Sequence, residues 1–288
     1  MLKAKHGLSF VVAVFVLLLV ACGDDDSDFA TRPSEGSSSS VCEDCDESSS
    51  SSVTPQSSSS EKAESSSSKV TEPAEVTSGT MTDSRDGQTY KTVTIGTQTW
   101  MAQNLNYAYT DVPYKHGNYT SDSTSWCYND DANNCSKYGR LYTWAAAMDS
   151  VGTLSTNGKG CGFGTTCSPT YPVRGICPEG WHLPTKAEFE TLFTAVGGQS
   201  TACKVLKSTS GWNSRGNGSD AFAFSALPAG SRNNYGNYYG EGNDADFWSS
   251  TEYNSFNAYY MYLDYLNDAA YLNDLSKNYG FSVRCLKD

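Results

Sequence analysis

Histidine and basic charge are what this chain has least of. Its 288 residues include three His (His6, His116 and His182), and 20 Lys and Arg stand against 32 Asp and Glu, for a net charge of −12. Without a basic excess there is nothing to neutralise phosphates, which argues against a nucleic-acid partner. So few His leave zinc without its usual nitrogen ligands, and C-x-x-C occurs once, as Cys42-Glu43-Asp44-Cys45 among acids. That setting supplies neither a four-ligand metal site nor the βαβ context of a redox pair. G-x-S-x-G is absent, so His182 has no nucleophile of that type to serve. Glu188 and Glu190, two positions apart on an expected helix, point away from one another and do not make a glycosidase pair.

Aromatic residues are missing from most of the first 80 positions: all 19 Tyr and all 6 Trp lie later. Charge divides likewise, with 13 acidic and 3 basic side chains over residues 22–82. The chain reads as a tail plus one domain. Met1–Phe10 is short and basic, and Val11–Val20 is an apolar run too short to span a bilayer stably. Leu19-Val20-Ala21-Cys22 then resembles a bacterial lipobox, which makes residues 1–21 a lipoprotein signal peptide and Cys22 the lipidated residue. The following Asp24-Asp25-Asp26-Ser27-Asp28 resembles the acidic tract of surface-exposed lipoproteins. The expected location is the outer membrane, facing outward, with the lipid anchor as the only membrane contact. Residues 22–82 carry 20 Ser and little apolar surface, as expected of a disordered, acidic tether. About 60 such residues give a root-mean-square reach of about 40–45 Å.

Seven cysteines fall in the domain assigned to residues 83–288. Export favours pairing. Cys127/Cys135 and Cys161/Cys167 bracket short polar segments and suit local bridges, Cys177/Cys285 would close a long loop, and Cys203 is left over. Thr89–Ile95 alternates at period two and Gln98–Met101 resumes an extended pattern after Gly96, which predicts an opening hairpin. Leu141, Ala145 and Met148 predict a helix over Gly139–Val151. Thr185 to Glu188 is a capping box, and Phe189, Leu192, Phe193 and Val196 make the apolar stripe of a second helix that stops at Gly197-Gly198. Ser200–Lys207 adds a short third helix. Ser208–Asp246 reads as a long loop, and Ala258–Leu263, Ala270–Asn273 and Phe281–Leu286 read as short strands. The fold class expected is α+β.

Ordered blocks then carry a resemblance: DGQTYKTVTIGTQTWMAQNLNY (86–107), GRLYTWAAAM (139–148), CPEGWHLPTKAEFETLF (177–193), LKSTSGW (206–212), FSALPAG (224–230), FWSSTE (247–252) and YGFSVRCLKD (279–288). Together they resemble the Fibrobacter succinogenes major paralogous domain. More distantly that family resembles the C-type lectin-like fold, which implies two main helices, a small antiparallel sheet, a long irregular loop region, and a disulfide where Cys177 and Cys285 stand. The Glu-Pro-Asn, Gln-Pro-Asp and Trp-Asn-Asp calcium and sugar motifs of that fold are missing here. Trp100, Trp144, Trp181 and Trp248 lie in the family blocks and are assigned to the core.

The expected function is non-catalytic binding of extracellular material, polysaccharide in particular. The long loop offers flat aromatics for stacking on sugar rings, Trp212, Tyr235, Tyr238 and Tyr239, and polar side chains for hydroxyls, Asn213, Arg215, Arg232, Asn233 and Asn243. Tyr and Asn among Gly also suit protein-binding loops, so a protein-interaction or structural envelope module is the alternative. Asp220, Glu241, Asp244 and Asp246 are the candidates for calcium. A third reading, an oxidase or hydrolase, follows from a distant likeness to formylglycine-generating oxidases, with Cys203 and an unbridged partner as the reactive pair.

Overall fold

The computed structural model describes residues 76–288 except 111, 117 and 118, and no side chain over 111–123. The signal segment, Cys22, the C-x-x-C and the tether up to residue 75 lie outside the described residues.

The first strand, β1 (Val76–Thr82), falls within the stretch read as tether and pairs antiparallel with β2 (Thr89–Ile95). β3 (Gln98–Met101) follows the Gly96-Thr97 turn, as the alternation predicts, and puts Trp100 opposite Val93. β4 (Val112–His116) and β5 (Tyr119–Ser123) form a separate hairpin. β6 (Ser125–Trp126) pairs with β7 (Leu141–Tyr142), and α1 (Ala132–Tyr138) lies between them. Gly139 closes α1 at φ +76°, where a Cβ would stand 2.8 Å from the Leu105 carbonyl, so the return to β7 depends on glycine. α2 (Trp144–Ala147) is one turn capped by the Thr143 hydroxyl. β8 (Trp181–His182), α3 (Lys186–Ala195) and α4 (Gln199–Leu206) come next. The Thr185/Glu188 capping box of α3 is present in both directions. β9 (Ser231–Arg232) and β10 (Tyr238–Tyr239) make a small hairpin. β11 (Asp244–Glu252), β12 (Asn257–Asp264) and β13 (Tyr271–Ser276) form an antiparallel meander, and β14 (Leu286–Lys287) pairs with β3 and β8 to complete a five-stranded sheet in the order β1-β2-β3-β14-β8.

The expected α+β, C-type lectin-like arrangement of two main helices is overturned. The domain is mainly β: among the described residues the longest helix has 10 residues, and fourteen strands fall in several small sheets. The helix predicted over Gly139–Val151 illustrates the reason. Leu141 and Tyr142 are drawn into pairing with Ser125, Trp126 and Phe281, and only one helical turn remains before Met148. The apolar spacing was that of a strand end followed by a buried turn. In the predicted long loop, β11 begins at Asp244. Both of its faces are covered from Ala245 to Ser250, so no polar alternation marks it.

Two apolar clusters hold the domain together. In one, Val93, Ile95 and Trp100 pack with Phe189 and Leu192 of α3, with Phe224, and with Phe247 and Met261 of the meander. In the other, Trp144, Met148, Trp181, Trp248 and Phe281 surround the Cys177–Cys285 bridge. Trp100, Trp144, Trp181 and Trp248 are thus core residues, as expected. All three expected disulfides are formed, Cys127–Cys135, Cys161–Cys167 and Cys177–Cys285, and Cys203 is free and buried. Lys277, 0% exposed, anchors the loops around it: its ammonium donates to the carbonyls of Gly162, Thr165 and Ser255 and pairs with Glu252 at 2.8 Å.

Candidate binding site

Strand alternation divides the meander into two faces. Ala245, Phe247, Met261 and Leu263 face the core. On the other face Asp244 stands opposite Asp264, Asp246 opposite Tyr262, and Trp248 opposite Tyr260, while β13 sets Tyr271 beside Tyr262 and Asn273 beside Tyr260. Ring centroids run 6.5 Å from Tyr271 to Tyr262, 6.4 Å to Tyr260, and then 4.7 Å to Phe281. Phe281 and Trp248, 4.4 Å apart, fill the inner end, whereas Tyr260 and Tyr262 are half-buried and Tyr271 is exposed.

Asp264 Oδ1 accepts from the Leu266 N–H at 2.5 Å and from the Asn267 amide at 3.0 Å, which leaves Asp244 the less satisfied carboxylate of the facing pair. The single Tyr262 hydroxyl proton lies between two carboxylates, Asp244 Oδ1 at 3.1 Å and Asp264 Oδ2 at 2.9 Å, and can satisfy one at a time. Burial raises the pKa of Asp244, with Asp264 adding to the effect and Tyr262 opposing it. Asp246 is more deeply buried, and burial first and Asp244 second push its carboxyl well up. The face therefore combines flat rings with a carboxyl pair, Asp244 and Asp264, that shares one tyrosine proton, to which an uncharged ligand rich in hydroxyls is complementary.

The loop residues picked out in the sequence go to different places. Trp212 is 6% exposed within the first core cluster, and its indole N–H donates to Ser208 Oγ and the Ala226 carbonyl, so it offers no ring face to a ligand. Asn213 donates to Asn243 Oδ1 at 3.2 Å, a link that closes the loop base, and Arg215 is exposed with φ +67°. Asn233 caps the β9–β10 turn, accepting from the backbone of Tyr235 and Asn237. Arg232 lies 3.9 Å over the Trp126 ring, and Tyr238 packs on Tyr128 and donates to Asp130 at 2.6 Å. Burial, then Asp130, pushes the Tyr238 hydroxyl up to about 12. Tyr235 and Tyr239 project freely, at 82% and 54% exposure. This hairpin adjoins the meander face, because Gly230 N–H donates to the Asp244 carbonyl and Arg232 pairs with Gly280.

The four calcium candidates are not assembled into a site. Asp220 accepts from the Ser225 N–H and hydroxyl, Glu241 accepts from Tyr138 beside Lys137, and only Asp244 and Asp246 are neighbours. Among the described residues no group of three His, Cys, Asp or Glu is placed to hold a metal ion. Cys203 has no second thiol near it among the described residues, since the other six described cysteines are bridged. Burial raises its own pKa, the direction of an unreactive thiol. His182 is structural: Nδ1 is 2.7 Å from Asp288 and Nε2 is 3.0 Å from Glu188, both acceptors, so the ring is held as imidazolium. Burial opposes the charge, but the two carboxylates outweigh it and the pKa rises.

Tyr260, Tyr262, Asp264, Tyr271 and Asn273 are not among the residues the sequence points to, because Ala258–Leu263 and Ala270–Asn273 read only as short strands. The alternating Tyr at 260 and 262 was the available signal.

Fold and surface together define a disulfide-stapled, mainly β domain whose meander carries a row of half-buried to exposed tyrosines. The chain belongs to the family of the Fibrobacter succinogenes major domain, whose family model matches residues 93–287. No curated protein and no solved structure matches it.

Proposed function

We propose that this protein is an outer-membrane lipoprotein, anchored through Cys22 and held at the cell surface by its Ser-rich tether, whose domain binds extracellular polysaccharide without catalysis. The observation that carries the reading is the meander face, where Tyr260, Tyr262 and Tyr271 line up beside Asp244 and Asp264. Sugar rings stack on tyrosine through their C–H faces, and their hydroxyls can donate to Asp244, which shares the one Tyr262 proton with Asp264. Three bridges within one domain fit an oxidising compartment.

The test is retention of the purified full-length protein on cellulose and xylan. Retention that is lost in Tyr271→Ala and Tyr262→Ala, with urea midpoints kept, supports the proposal. A protein that binds neither polysaccharide, or binds equally well without the two rings, refutes it. The β9–β10 hairpin favours a second reading, a protein-interaction module, because Tyr235 and Tyr239 project from an Asn- and Gly-rich turn. In that case cross-linking on cells captures one stoichiometric envelope protein, and Tyr235→Ala abolishes the capture.

A further inference from the structure

A cavity of about 270 Å³ lies away from the meander face, between β2, the segment around Asn104, α1 and the segment around Ser225. The chain is acidic, yet none of the described residues lining this cavity is Asp or Glu, while Lys91, Lys137 and Arg284 all line it. Arg284 forms its inner wall at 1% exposure. Its guanidinium donates to Asn104 Oδ1 at 2.8 Å, to the Phe224 carbonyl, and to the Ser225 carbonyl at 2.9 Å. All three acceptors are neutral, and three of the five guanidinium N–H groups are used. Asp220 acts on Arg284 only through space, and its oxygens already accept from Ser225. The Phe224 and Phe247 rings lie 4.3 and 5.2 Å from the guanidinium carbon and offset part of the cost of burial, but neither carries a charge, so this cation lining a cavity has no carboxylate partner and an anion would complete it. Burial accordingly lowers the Arg284 pKa to about 9.

At the mouth, the Lys137 ammonium is 55% exposed and sits 3.7 Å from Glu241, loosely enough to turn toward an incoming anion. Gln103 and Asn106 add amide groups, and the Asn106 carbonyl oxygen is buried without a hydrogen-bond partner. That oxygen, the side-chain Oδ1, is free to accept from a ligand hydroxyl.

We propose that this cavity binds a small carboxylate-bearing ligand of about the size of one uronic acid ring, with the carboxylate toward Arg284 and the hydroxyls toward the amides. A planar carboxylate matches the guanidinium fork. The assignment is independent of the meander face.

The test is calorimetric titration of the full-length protein with D-galacturonate, acetate and D-galactose. Galacturonate should bind at least about tenfold more tightly than galactose, acetate should compete with it, and high salt should weaken it several-fold. Ser136→Trp, at an exposed lining position, should abolish galacturonate binding with the urea midpoint unchanged, and Lys91→Gln with Lys137→Gln should weaken it. Tyr271→Ala should leave it intact. Galactose binding as tightly as galacturonate, no heat from galacturonate at about 10 mM, or full binding by Ser136→Trp would each overturn the assignment.

Discussion

Removing the Cys177–Cys285 bridge by a double change to alanine should cost the protein more stability than removing either of the others, by an amount that follows from loop length. The bridge spans 108 residues, against 8 for Cys127–Cys135 and 6 for Cys161–Cys167. In the chain-entropy relation these loops correspond to about 4.8, 2.5 and 2.2 kcal/mol at 25 °C. Both Cys177 and Cys285 are 0% exposed, so truncation adds a packing loss of order 1 kcal/mol. The long bridge also holds β14 against β3 and β8, where Leu286 pairs with Trp100 and His182. Urea denaturation of the three double variants, compared at equal m-value, measures the differences. The three loops share no residue, so the losses of combined variants should add within about 0.5 kcal/mol. A loss for the long bridge equal to or below that of the short ones would show that loop entropy does not govern these bridges.

The His182 arrangement predicts a pH dependence. The folded His182 pKa lies above its unfolded value, so its contribution is complete below about pH 6.5 and is lost as pH rises through the folded pKa. Glu188 is depressed despite its burial, because His182 and the Thr185 cap favour the carboxylate, so its contribution is present above about pH 4.5 and is lost as pH falls through the folded pKa. Urea midpoints of wild type and His182→Gln should therefore differ most between about pH 4.5 and 6.5 and converge on the alkaline side; a constant difference would refute the imidazolium assignment. Cys203 should be silent to thiol reagent in the native state. Cys203→Ala then leaves the native thiol count unchanged and lowers the count in denaturant by one, whereas a drop in the native count would place that thiol at the surface.

Parts of the molecule were legible because their cause is local. The Thr185/Glu188 cap needs two side chains three residues apart, and the β2–β3 hairpin needs only an alternating run broken at Gly96. Cys127/Cys135 and Cys161/Cys167 were legible for the same reason. Other parts failed through competition with distant partners. Leu141 and Tyr142 carry apolar spacing that suits a helix, but their backbone hydrogen bonds go to Ser125, Trp126 and Phe281, so a strand forms there. β11 escaped detection because residues from Ala245 to Ser250 are covered on both sides.

Trp212 and Tyr271 show the same division at the level of the site. Each is an aromatic residue in polar surroundings, yet the sequence points to Trp212 for stacking and passes over Tyr271. Folding buries Trp212 against Phe224 and Ala226 and leaves Tyr271 on an open sheet edge.

What the sequence by itself determined is what neighbouring residues decide among themselves: the capped helix, the short bridges, the family blocks, and a non-basic, aromatic-rich domain. Tertiary structure alone decided which aromatics face water and which charges lack partners. Arg284 meets Asn104 across 180 residues of chain, and Tyr262 meets Asp244 and Asp264 through the register of β11 and β12. The physical reason is that burial and hydrogen-bond pairing belong to the packed molecule, and no short window of sequence contains them.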